Sequence, residues 1–163
     1  MIIHNQTRYD TSMLRNVYRW AAKRIKAPSE ELQIWVNETK ERLRGSGIAY
    51  AQPSPRILMQ LPRPTHRAFN GCRDVFVNPE LEAAEWFVHV ALHEMSHIRD
   101  YAEGRFDRGG LTATGRRIKH DNRPCERRAI SRTLTAVDEY ATEYQEWALK
   151  LAVHIEQIAE ALR

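Results

Sequence analysis

Residues 80–101 read ELEAAEWFVHVALHEMSHIRDY. Neither Gly nor Pro interrupts them, and their apolar positions recur at helical spacing. Trp86, Val90, His93 and His97 fall on one stripe, and Phe87, Ala91 and Met95 on the next. Glu80, Glu82 and Glu85 lie in the first turns, where the helix dipole favours negative charge. The stretch predicts a helix over 80–101. Within it, His93-Glu94-Met95-Ser96-His97 places two imidazoles one turn apart on one face, so both can bind one zinc ion. Glu94 is rotated from His93 by about a hundred degrees. It is poorly placed to be a ligand but can reach a water on the metal and act as its general base.

The chain before this helix divides in two. Residues 11–26 predict a helix from Leu14, Val17, Ala21 and Ile25, with N-cap oxygens at Asp10 to Ser12. Residues 29–44 predict a second, with Leu32, Trp35, Val36, Thr39 and Leu43 on one face and Gly45 at its end. From 46 to 79, Pro53, Pro55, Pro62, Pro64 and Pro79 exclude long helices. Ile48 to Ala51, Arg56 to Leu61 and Asp74 to Val77 are of strand length, and Asn70-Gly71 is a turn signal. A small, mostly antiparallel sheet is expected. After the motif helix, 103–122 reads as a glycine-bearing loop. Pro124 then opens a helical region reaching nearly to Arg163, with a bend expected at Thr133 to Thr135. The fold class is α+β, in a single domain spanning 1–163.

The 163 residues are 42% hydrophobic and 28% charged, which excludes a disordered chain, a collagen-like repeat and a coiled-coil rod. No stretch approaches the roughly 18 uncharged apolar residues of a membrane span, and the start has no secretory-signal pattern. Cys72 and Cys125 make no disulfide framework, so a reduced, cytoplasmic setting is expected. The net charge of +4 permits an acidic or nucleic-acid partner without demanding one. Basic runs lie at Arg105 to Arg108, Arg116 to Lys119 and Arg123 to Arg132.

A catalytic zinc commonly takes three protein ligands. Glu126, in the first turn of the helix opened by Pro124, is one candidate for the third; Ala129 one turn on would allow close helix approach. His120 is the alternative, and Glu103, six residues after His97, a further one. His89 reads as packing or as a group supporting the ligands, Asp100 as a group that could orient His97 or His93, and Tyr140 and Tyr144 as core.

At these residues the chain resembles the zincin metallopeptidases, in the gluzincin branch. The Arg-Pro-x-Glu-x-x-Ala helix start is similar to that of small metallopeptidase-like proteins encoded in bacterial and phage genomes. The resemblance covers about residues 74 to 130. It implies His93, His97 and Glu126 as zinc ligands and Glu94 as general base. The expected activity is zinc-dependent hydrolysis of a peptide or protein substrate, which the edge at 74–77 could hold as an added strand. The alternative expectation is a basic nucleic-acid- or protein-binding module whose metal is structural or vestigial.

Overall fold

The computed structural model describes residues 1–38, 46–50, 54–61, 83–105, 118–119 and 122–162. The elements run β1 (Ile2–Gln6), α1 (Thr11–Ile25), β2 (Gln33–Glu38), β3 (Ser46–Tyr50), β4 (Arg56–Leu61), α2 (Ala83–Ala102), α3 (Pro124–Glu139) and α4 (Ala141–Ala161). Helices and one sheet make an α+β fold.

The four strands lie in the order β1-β2-β4-β3. β1 pairs with β2 and β2 with β4 in parallel, and only β3 runs antiparallel, against β4. The expected mostly antiparallel sheet is therefore corrected to a mixed one. The parallel β1–β2 pair follows from β1-α1-β2, in which the helix carries the chain back so that β2 starts at the same end as β1.

The helix expected over 29–44 is also corrected, since residues 33–38 form β2. Leu32, Ile34 and Val36 are buried at alternate positions, a period of two. β-Branched Ile34 and Val36 suit a pleated, half-covered surface. Ile34 fell outside the helical stripe, and its full burial shows which period packs. β1 was not foreseen: Ile2 and Ile3 follow one another without alternation, and Ile2 is exposed. The strands expected at Ile48 to Ala51 and Arg56 to Leu61 are present as β3 and β4. Asp74 to Val77 and the Asn70-Gly71 turn lie outside the described residues, as does most of 103–122.

α1 matches its expectation. Asp10 Oδ1 accepts from Met13 N at 2.8 Å, and Lys26, at φ 57°, closes the other end as Ala27 N donates to Ala22 O. Leu14, Val17, Tyr18, Ala21 and Ile25 then face a core shared with Ile34, Val36, Ile57, Met59 and Leu61 of the sheet and Trp86 and Phe87 of α2. α2 is buried along most of its length, as a helix with apolar residues on several faces must be.

The C-terminal region breaks at Tyr140 rather than at Thr133 to Thr135. Thr133 is buried inside α3, and Tyr140 alone leaves helical geometry, at φ −120° and ψ 33°. The corner is fastened to α1. Arg24 lies over the Tyr140 ring at 4.3 Å, and Glu143 accepts from Trp20 Nε1 at 2.6 Å and from Arg24 Nε and Nη2 at 2.9 and 2.7 Å.

Candidate metal centre

The spacing of His93 and His97 puts both rings on the face of α2 that meets α3. Their ring planes stand 89° apart with centroids at 4.7 Å, and the two Nε2 atoms converge to 3.1 Å. Glu126 comes from the first turn of α3, two residues after Pro124 at N1. Proline there gives up an N–H the helix could not use and fixes φ, so it sets where the carboxylate begins. Ala129, 1% exposed, sits one turn on, and its small side chain permits close approach to α2.

Glu126 Oε2 lies 3.2 Å from His93 Nε2 and 3.3 Å from His97 Nε2. With the 3.1 Å between the imidazole nitrogens, three donors form a nearly equilateral triangle. A regular tetrahedron with zinc–donor lengths of about 2.0–2.1 Å has edges of about 3.3–3.4 Å. The triangle fits one face of that tetrahedron to within a few tenths of an ångström. Two neutral imidazoles and a carboxylate are also a donor set suited to zinc. His93, His97 and Glu126 are the group of His, Cys, Asp and Glu side chains that converges in this way among the described residues.

The electrostatics keep His93 and Glu126 in ligand-ready states and favour the proton on His97, which a metal would have to displace. Burial pulls the His93 imidazole down to about 4, against the opposing hydrogen bond to Glu126, so the ring is neutral at pH 7. For His97 burial acts downward too. Glu126, Glu94 and Asp100 outweigh it, and the net shift is upward. Burial pushes the Glu126 carboxyl up, but hydrogen bonds to His93 and His97 win and hold it well below the usual carboxylate range. Its other oxygen, Oε1, faces the buried Cys125 thiol at 3.9 Å. Burial raises that thiol's pKa.

Glu94 is not one of the three converging donors, and its Oε1 lies against the edge strand β3. A Cβ built on Gly47 of β3 would lie 2.7 Å from Glu94 Oε1 and 2.7 Å from Val90 Cγ1. Only a glycine lets the strand backbone pass this close to the carboxylate. Gly47 was not among the residues singled out from the sequence; a glycine beside a strand-length run was its available signal. Tyr101 Oη donates to Ala49 O at 2.9 Å and ties the same strand to the far end of α2.

The other expectations divide. Glu103 is not brought to the triangle. It pairs with Arg99 at 2.8 Å, with Arg105, and with Arg132 at 3.5 Å; Arg99 first, then Arg105, draw its carboxyl down to about 2. His120 lies outside the described residues. His89 is buried along α2, and its charge acts on His93 one turn away. Tyr144 is core, its hydroxyl donating to Glu85 O at 3.2 Å, and Tyr140 sits under Arg24. Asp100 has both carboxylate oxygens engaged by α3, Oδ2 from Arg128 Nε at 2.8 Å and Oδ1 from Arg132 Nη1 at 2.6 Å. Its field still reaches His97. Arg128 is thereby drawn to Asp100, while Arg127 is exposed, so the two cations after Glu126 do not crowd the triangle.

No family model matches this chain, and neither do the curated proteins or the solved structures with which it was compared.

Proposed function

We propose that the chain is a zinc-dependent metallopeptidase, with His93, His97 and Glu126 as metal ligands and Glu94 as general base. The observation that carries this reading is the triangle of Nε2, Nε2 and Oε2 atoms with sides of 3.1, 3.2 and 3.3 Å, one residue from a separate carboxylate. Zinc held there would supply Lewis acidity towards a carbonyl and towards water. Three protein donors leave one tetrahedral position for chemistry, whereas structural zinc sites are almost always closed by four. Glu94 would take a proton from water and deliver it to the leaving amine. The bare backbone of Gly47 leaves room for the Glu94 carboxylate beside β3. The substrate class follows from the motif and its resemblance, and a reducing, cytoplasmic setting from the cysteine usage.

One observation favours the alternative of a structural metal. His93, Glu94, His97 and Glu126 are 3%, 4%, 5% and 6% exposed, which leaves little open surface at the site. One experiment separates the readings. Elemental analysis of the purified chain is expected to give one zinc, lost in His93→Ala. Glu94→Gln is expected to keep the zinc while hydrolysis of a quenched peptide library falls about 10²–10⁴-fold. Zinc bound without hydrolysis by the wild-type chain would leave the structural site standing. Absence of zinc, or full activity in Glu94→Gln, would remove the peptidase reading.

A further inference from the structure

The sequence points to basic runs in the C-terminal half as the place for an anionic partner. In the structure three of the six described cations of those runs are engaged by carboxylates. Arg128 and Arg132 are held by Asp100, and Arg105 by Glu103. A different surface stays cationic. α1 contains no Asp or Glu, and Arg15, Arg19 and Lys23 follow one another at i, i+4 and i+8, with Lys26 at the C-cap. At 100° per residue these four lie within about 80° of arc. Arg15 is half-exposed, and Arg19, Lys23 and Lys26 are exposed. Among the described residues none of the four has an ion-pair partner. Arg24, on the opposite side of the helix, takes the Glu143 carboxylate at 2.7 Å, and Lys23 acts on that carboxylate only at longer range.

We infer that this face of α1 is a docking surface for the phosphate backbone of nucleic acid. The charge complementarity is linear. From Arg15 to Lys23 the helix rises about 12 Å, a length over which duplex DNA presents about seven phosphate charges. A lipid surface fits less well. An interfacial helix inserts apolar side chains beside its cations, whereas the residues interleaved on this face are Ser12 and Asn16 and the apolar residues of α1 turn inward. Contacts to phosphate carry no sequence information directly, so binding through them is expected to be independent of sequence.

This surface stands apart from the metal centre, so its test does not depend on the peptidase reading. Anisotropy of a short fluorescent DNA duplex is measured against the full chain at several salt concentrations. Four phosphate contacts predict a slope of log K against log[salt] of about −3.6, an affinity loss of about 150-fold between roughly 50 and 200 mM salt. The triple variant Arg15→Gln, Arg19→Gln, Lys23→Gln is expected to flatten the slope to about −0.9. These side chains are not packed in the core, so thermal unfolding and zinc content should match the parent chain and report that the variant is folded. No binding at low salt would overturn the proposal. A slope unchanged in the triple variant would do so as well, because binding would then lie on other basic residues. Vesicles of mixed phosphatidylserine and phosphatidylcholine are the competing probe. Tighter binding to them than to duplex, lost in the same variant, would reassign the face to membrane and overturn the nucleic-acid reading.

Discussion

Replacing Asp100 by Asn tests how Glu126, the proposed third ligand, is held. Asp100 is fully buried near the end of α2 and joins it to α3 through Arg128 and Arg132, which bracket the turn after Ala129. Asn keeps the shape and one acceptor but removes the charge that both guanidinium groups face. A wholly buried pair broken in this way costs about 3–5 kcal/mol. Here the arginine side chains are 32% and 19% exposed, so water can take over part of their solvation. The expected loss is smaller, about 2–3 kcal/mol, or about 5–10 °C in melting temperature for a chain of this length. The second effect is on the metal. Glu126 lies two residues before Arg128, so the clamp that holds α3 in register also fixes where Oε2 arrives. Outer partners of this sort typically govern about 10–100-fold in metal affinity. Zinc affinity is read by competition with a chromophoric chelator at a temperature where circular dichroism shows the variant folded. A weaker zinc constant with native helicity is the expected result. A variant that melts lower yet binds zinc as the parent does would show that Glu126 is placed by packing alone. One that matches the parent in both would refute the clamp.

Gly47→Ala is expected to leave zinc content near one while lowering hydrolysis at least tenfold, because the added methyl must displace the Glu94 carboxylate or the Val90 side chain; parallel elemental and activity measurements check it. The metal-free chain should respond to pH in two opposite windows. His93 binds fewer protons folded than unfolded, its folded value of about 4 lying below the ordinary 6.5, so its contribution to stability is lost as pH falls from 6.5 towards 4. His97 is shifted upward, so its contribution is full below 6.5 and is lost as pH rises through its raised folded value. Urea titrations across pH 4 to 8 should therefore show maximal stability between the windows, with the acid side steepened further by Glu126 below 4.5. Chains carrying His93→Gln should lose the slope between 4 and 6.5.

The legible parts of the fold were those written in a single element. α1, α2, β3 and β4 could be found because their periodicity or punctuation is local. β2 could not, because residues 32 to 36 satisfy two periods at once: Leu32, Trp35 and Val36 fit a helix, and Leu32, Ile34 and Val36 fit a strand. Packing against β1 and β4 selects the second, and those partners are remote in sequence. The parallel arrangement was hidden for the same reason, since β1 shows no alternation of its own. At the site, the motif gave His93, Glu94 and His97 directly. Because nothing local to Pro124 says which face of α3 meets α2, from the residues alone Glu126 stood beside His120 and Glu103 as a third ligand, and the resemblance singled it out. Gly47 was less visible still: its role is set by a carboxylate on a helix remote from it in the chain.

The surroundings of Glu126 show why cations beside a ligand in sequence need not oppose a metal in space. Three arginines, Arg127, Arg128 and Arg132, follow it within two turns of α3. Helical geometry sends Arg127 to solvent, while Arg128 and Arg132, one turn apart, share the face that meets Asp100. Glu126 is then the member of this acid-and-base cluster left to face the imidazoles. One buried carboxylate absorbs the positive charge, and the second is left for the coordination proposed above. Removing the Asp100 charge would therefore do more than loosen a helix contact, because it would return two cations to the neighbourhood in which the proposed divalent ion would bind. Their repulsion acts in the same direction as the loss of register, so zinc affinity in the Asp100→Asn chain should recover at high salt only in its electrostatic part.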